Sequence, residues 1–139
     1  MKISVKGRYA ICSMIYLASI EDRNISVLEI SQSLGISKIY LEQVFTILKR
    51  AKLVTSSKGQ SGGYTLGKNK NEITAYDILY AVENNLFEKP ESTTTSQNYE
   101  KALSEIDQHL SNAITFALKN ITLKSLLDST SKIDDMFYI

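Results

Sequence analysis

The chain has 139 residues, 43% of them hydrophobic and 22% charged, a length that suits one domain with an appendage and contains no apolar run near the roughly eighteen residues of a membrane span. A lone Cys12 excludes an intramolecular disulfide and, even with the lone His109, cannot furnish a zinc or iron-sulfur ligand set, so a cytoplasmic protein with no cofactor and no membrane partner is expected. The net charge of +1 conceals an asymmetry: residues 1–70 carry 11 Lys and Arg against 4 acids, the rest 5 against 11, so the first half suits a polyanion and the second suits water or protein.

Across residues 7–21, Ala10, Ile11, Met14, Ile15, Leu17 and Ala18 recur at helical spacing and predict a first helix with one wide buried face, Cys12 lying within it as a small hydrophobe. The basic residues ahead of it do not make a secretion signal, because polar residues interrupt the stretch and no small-residue cleavage site follows. In "SVLEISQSLG", Ser26 and Glu29 stand at capping-box spacing and Gly35 closes a helix of about two turns. Ser37 then caps a third helix with Leu41, Val44, Phe45 and Leu48 as its apolar stripe, and two short helices joined through "GIS" make a helix-turn-helix. "LVTSS" and "GGYTL" flank a polar, glycine-bearing loop and predict a hairpin. "ITAYDILYAVEN" opens with Thr74 and Asp77 at capping spacing and packs Ile78, Leu79 and Val82.

Residues 86–97, "LFEKPESTTTSQ", hold the single proline and a Ser/Thr run and read as a linker. After them Tyr99, Leu103, Ile106, Leu110, Ala113 and Ala117 follow an alternating spacing of four and three, a narrow seam that wants a partner helix. "ITLKSLLDS" offers one more short helix, and "TSKIDDMFYI" reads as an extended tail. The expected architecture is mainly α with a small β-hairpin wing: a winged helix-turn-helix domain at 1–85, the linker at 86–97, dimerisation helices at 98–128 led by one long helix, and the tail at 129–139.

No nucleophile with a base, no carboxylate pair and no metal set is visible, so an enzyme is not expected. The glycine loop "SSKGQSGGYTL" lacks the order and the strand-to-helix setting of a nucleotide-binding phosphate loop. A basic half, a helix-turn-helix and a following hairpin agree instead on double-stranded DNA. Stepping about 100° per residue leaves Ile39, Glu42, Gln43, Thr46 and Arg50 opposite the apolar stripe of the third helix, with Tyr40 flanking. In a major groove Gln43 pairs with adenine, Glu42 accepts from cytosine, Ile39 packs on a thymine methyl, and Arg50 reaches backbone or guanine; a face that merely meets solvent fits the same pattern. Lys58 at the hairpin tip reaches the minor groove or a phosphate, while Gly59, Gly62 and Gly63 let the turn bend and approach a backbone, or simply form the turn. Lys2, Lys6 and Arg8 add positioning contacts to phosphate.

"MKISVKGRYA", "SVLEISQSLGISKIYLEQV", "LKRAKLVTSSKGQSGGYTL" and "EITAYDILYAVE" resemble, in order, the winged-helix regulators of the Rrf2 family over nearly the whole chain. The resemblance implies a homodimer, built on Leu103, Ile106, Leu110, Ala113 and Ala117 of crossing long helices, that binds a pseudo-palindromic operator. It puts Tyr40, Glu42 and Gln43 in the family's "YLEQ" recognition motif and Lys58 where relatives often carry arginine. Cluster-binding members have three cysteines between the fourth helix and the dimerisation helix, where this chain reads "LFEKPESTTTSQNYEKA" with none. The cluster-free branch, which represses cysteine metabolism, closes on the same Met-Phe-Tyr-Ile found at 136–139. By that resemblance cysteine synthase is the expected partner, Phe137, Tyr138 and Ile139 docking in its active site and O-acetylserine competing for it. Two alternatives stand beside this: the same fold sensing redox state or a small molecule directly, and a protein-interaction module without DNA binding.

Overall fold

A computed structural model describes residues 2–60, 62–93 and 96–138, with side chains as far as residue 131. Helix α1, Val5–Ser19, starts at Ser4, whose hydroxyl accepts the Gly7 amide at 3.1 Å. It buries Ala10, Met14, Leu17 and Ala18 as expected, with Ile11 and Ile15 half-buried. Cys12 is exposed, which corrects the buried placement: it lies two residues, about 200° around the helix, from both Ala10 and Met14, so an apolar neighbourhood in sequence does not put it on the apolar face.

Helix α2, Val27–Leu34, is capped by the Ser26 hydroxyl and ends at Gly35 with φ 67°. The reciprocal half of the expected capping box is replaced by a longer-range contact. The Glu29 carboxylate accepts two bonds from Arg23, at 2.8 and 2.9 Å, and one from the Tyr16 hydroxyl at 2.8 Å, which pins α2 to the end of α1. Helix α3, Lys38–Arg50, is capped by Ser37 and buries the whole predicted stripe of Leu41, Val44, Phe45 and Leu48.

Strands β1, Val54–Ser57, and β2, Gly63–Leu66, pair antiparallel with Val54 opposite Leu66 and Ser57 opposite Gly63. Ile25 adds a third rung, since its carbonyl accepts the Tyr64 amide at 2.8 Å and its amide donates to the Tyr64 carbonyl at 3.0 Å. The Tyr64 ring lies 4.7 Å from that of Phe45, so the wing is seated on α3 as well as on the loop before α2. Helix α4, Ala75–Val82, carries the complete capping box, Thr74 and Asp77 exchanging bonds of 2.9 and 3.1 Å.

Helices α5, Gln97–Lys119, and α6, Leu123–Tyr138, follow. None of the α5 residues is buried in the single chain, but the start of α6 returns to the winged-helix core. There Leu123 is fully buried, its amide bonded to the Ile73 carbonyl at 2.8 Å, and the Ala75 amide bonds to the Ile121 carbonyl at 2.8 Å. The stretch 129–138 is helical, which corrects the expected extended tail. The Ser129 and Thr130 hydroxyls bond back to the Ser125 and Leu127 carbonyls at 3.0 and 2.7 Å, so these polar residues stay within the helix. Leu126, Ile133 and Phe137 meanwhile recur at helical intervals with no Gly or Pro to stop it.

Candidate nucleic-acid interface

The face of α3 turned away from the core consists of Ile39, Glu42, Gln43, Thr46 and Arg50, all exposed, with Ile39 71% so despite its apolar side chain. Burial of Leu41, Val44, Phe45 and Leu48, each at 0% exposure, fixes this orientation, because rotating the helix to hide Ile39 would bring that stripe into water at about 1.5–3 kcal/mol per side chain. Glu42 has Lys38 one turn back at 3.8 Å, both side chains about half exposed, and its carbonyl accepts the Thr46 hydroxyl at 2.8 Å. Gln43 is exposed one position along, a free amide on a rigid helix.

Tyr40 differs from the other members of the predicted face. It is half-buried, its ring edge-on to Tyr9 at 5.3 Å, and so holds α3 against α1. This contact brings the N-terminal half of α1 beside the first turn of α3. Lys2 and Arg8 are exposed there and Lys6 is half-buried; the Arg8 Nε donates to the Ile3 carbonyl at 3.3 Å. The N-terminal strand of chain is itself fixed to the end of α4, where Glu83 Oε1 accepts the Ser4 hydroxyl at 2.6 Å and the Ser4 amide at 3.1 Å.

At the wing Lys58 is exposed at the tip, beside Gly59 with φ 110°. Gly63 has φ 151°, and a Cβ there would stand 2.5 Å from the Ile25 carbonyl oxygen. A Cβ on Gly62 would stand 2.8 Å from the Ser57 carbonyl oxygen. Both glycines thus have a reason to be glycine within the fold. Sequence reasoning passed over Lys49, Lys52 and Lys68, which are exposed around the C-terminal end of α3; the run of residues from 43 to 71 without an acid was the available signal.

The ion pairs of the described residues occupy Arg23, Lys38, Lys70 and Lys124, leaving Lys2, Arg8, Lys49, Arg50, Lys52 and Lys58 outside them. Glu29 is held at a pKa of about 2 by Arg23 and then by Tyr16. Along α5, Tyr99, Leu103, Ile106, Leu110, Ala113 and Ala117 are all exposed, as is Phe116 outside the predicted seam. Phe137 and Tyr138 fall in the last turn of α6, and Ile139 lies outside the described residues. No helix among the described residues is long and apolar enough to cross a membrane.

A helix-turn-helix that presents a polar face on its second helix, followed by a two-stranded wing on the same core, defines a winged-helix DNA-binding transcriptional regulator and not an enzyme. The profile of the Rrf2 family, described as iron-dependent transcriptional regulators, matches residues 3–129, and the chain belongs to that family. It is 36% identical over 132 residues to the HTH-type transcriptional regulator IscR of Pectobacterium atrosepticum, covering 93% of this chain and 80% of that one. The structure of CymR, the global cysteine regulator of B. subtilis, superposes with a TM-score of 0.76 at 33% identity, covering 93% of this chain and 98% of that one. Oxidised Staphylococcus aureus CymR gives 0.70 at 37% identity, covering 91% and 96%. The interaction module without DNA binding is thereby set aside.

The family description names iron, yet the donor set does not fit a cysteine-ligated cluster: the chain has one cysteine, on the exposed side of α1, and one histidine, exposed on α5. Among the described residues no three His, Cys, Asp or Glu side chains group to hold a metal ion.

Proposed function

We propose that this regulator represses genes of cysteine and sulfur metabolism as a homodimer and is controlled through complex formation with cysteine synthase. The observation that carries the reading is the likeness, over nearly the full length of both chains, to the B. subtilis cysteine regulator. Two chains pack α5 against α5 through Leu103, Ile106, Leu110, Ala113 and Ala117, which gives the exposed seam a partner. Each α3 then enters a major groove with Ile39, Glu42, Gln43 and Thr46 at the bases and Arg50 at base or backbone, Tyr40 holding the helix in place. Lys58 and the first turn of α1 meet the phosphates, and Gly62 and Gly63 shape the wing that carries Lys58. The end of α6, at Phe137 and Tyr138 with Ile139, is the segment offered to the enzyme.

The test is titration of the full chain onto DNA upstream of its own gene, with and without cysteine synthase, with O-acetylserine, and with residues 136–139 deleted. The enzyme should tighten operator binding, and both the acetylserine and the deletion should abolish that gain. DNA binding indifferent to the enzyme would overturn the partner while leaving the regulator. Ile106→Asp should convert a dimer to a monomer in sedimentation and weaken operator binding; an unchanged sedimentation coefficient would refute the seam. A second reading, direct redox sensing, is favoured by the exposure of Cys12, and predicts that oxidant alters operator affinity in the native chain but not in Cys12→Ser.

A further inference from the structure

We propose that Lys52 and Lys68, with Lys49, form a second phosphate clamp that grips the DNA strand beyond the groove entered by α3. This rests on the reading of α3 as the DNA-facing helix. From Ile39 to Arg50 the outward face runs along about 16 Å of helix axis at 1.5 Å per residue, whereas the major groove is about 12 Å wide. A helix that enters across the groove with its first turns on the bases ends over the flanking sugar-phosphate strand, and Lys49 and Arg50 lie in that last turn. The chain next passes through Ala51 into Lys52, the single non-glycine residue among those described with positive φ, at 62°. Its amide bonds to the Lys49 carbonyl at 2.9 Å, and the Leu53 amide bonds to the Leu48 carbonyl at 3.0 Å, which locks the turn.

A left-handed residue at a helix end is ordinarily glycine. A side chain kept there against the backbone's preference points to a use for the side chain, here an exposed ammonium group. Gly67 bonds through its amide to the Leu53 carbonyl at 2.9 Å and packs so closely on the Lys52 carbonyl that an added Cβ would overlap it. Lys68 therefore emerges next to Lys52. Neither lysine, nor Lys49, enters an ion pair among the described residues. Residues 43–71 contain no Asp or Glu while carrying Lys49, Arg50, Lys52, Lys58, Lys68 and Lys70, so the positive field at this junction is uncompensated within its own stretch of chain.

The full-length Lys52→Gly, Lys68→Gln and doubly substituted proteins would be titrated onto upstream DNA and onto a scrambled duplex between 50 and 200 mM KCl. The slope of log affinity against log salt should flatten by about one unit per lost lysine for each bound chain, equally on both duplexes. Lys52→Gly should not lower the melting temperature, since glycine suits the turn, so lost affinity cannot be a folding defect. Gln43→Ala serves as contrast: it should keep the slope and lose discrimination between the duplexes. A wild-type slope in the double variant would overturn the clamp and leave the patch to an acidic protein surface. Absence of any salt-dependent binding by the wild type would overturn the DNA-facing role of α3 and the clamp with it.

Discussion

Replacing Gly63 by alanine tests how the wing is held. At φ 151° the residue occupies a region nearly closed to side chains, a cost of about 1–3 kcal/mol. The new methyl would also stand 2.5 Å from the Ile25 carbonyl oxygen and 2.6 Å from its carbon, so β2 must move off the Ile25 strand. That movement breaks the two bonds between Ile25 and Tyr64, about 1 kcal/mol each. A loss of about 3–5 kcal/mol is expected, a large part of the roughly 5–15 kcal/mol that stabilises a single domain. Gly59→Ala provides the control, because its φ of 110° is also unfavourable but its added carbon meets nothing within 4 Å; about 1–2 kcal/mol is expected there. Urea unfolding followed by circular dichroism would give both numbers. If Gly63→Ala cost no more than Gly59→Ala, the close approach to Ile25 would not be what requires glycine, and a direct role at DNA would return as the explanation.

Ser13 is wholly buried with its hydroxyl unpaired among the described residues, so Ser13→Ala should raise stability by about 1 kcal/mol in urea unfolding, and a loss would show a hidden partner. Glu29 has its folded pKa depressed to about 2 from 4.5, so its stabilising effect is present in full above the unfolded value and disappears as pH falls through 4.5 towards 2. The wild type should therefore exceed Glu29→Gln in stability by about 1 kcal/mol or less at pH 7, given the partial exposure of the pair, and lose that lead across this window. Equal unfolding midpoints for the two proteins at pH 7 would contradict the Arg23 and Tyr16 contacts. Leu123→Ala should cost about 2–5 kcal/mol by denaturant unfolding despite lying outside the winged-helix segment; a cost below about 1 kcal/mol would mean the start of α6 is not part of the core.

The helix-turn-helix and wing were legible because their determinants are local. Ser37, the stripe from Leu41 to Leu48 and the glycine-bearing loop each act within a few residues of themselves, and the face of α3 follows from the stripe by rotation alone. What escaped depends on partners far along the chain. Glu29 stands at capping spacing to Ser26 but finds a guanidinium and a phenol brought in by the end of α1. Tyr40 falls in the recognition motif yet meets Tyr9, 31 positions earlier, and packs between helices. The long helix was readable as unpartnered because its seam was so narrow, whereas nothing in "ITLKSLLDS" shows that Leu123 closes a core begun at residue 10. Cys12 sits among apolar residues in sequence, but its angle around the helix turns it to solvent.

The burial of Leu123 means that the DNA-reading head is not a portable module. Cut at residue 85, it would keep every motif that identifies it and lose the plug of its own hydrophobic socket, along with the backbone bonds that Leu123 and Ile121 make to Ile73 and Ala75. Domain swaps or reporter fusions joined at the linker would transplant an incomplete core. The same geometry ties the C-terminal end of α5 to the head: the turn that follows it accepts the Ala75 amide at the Ile121 carbonyl, and Leu123 just beyond fills the core that also holds the α3 stripe.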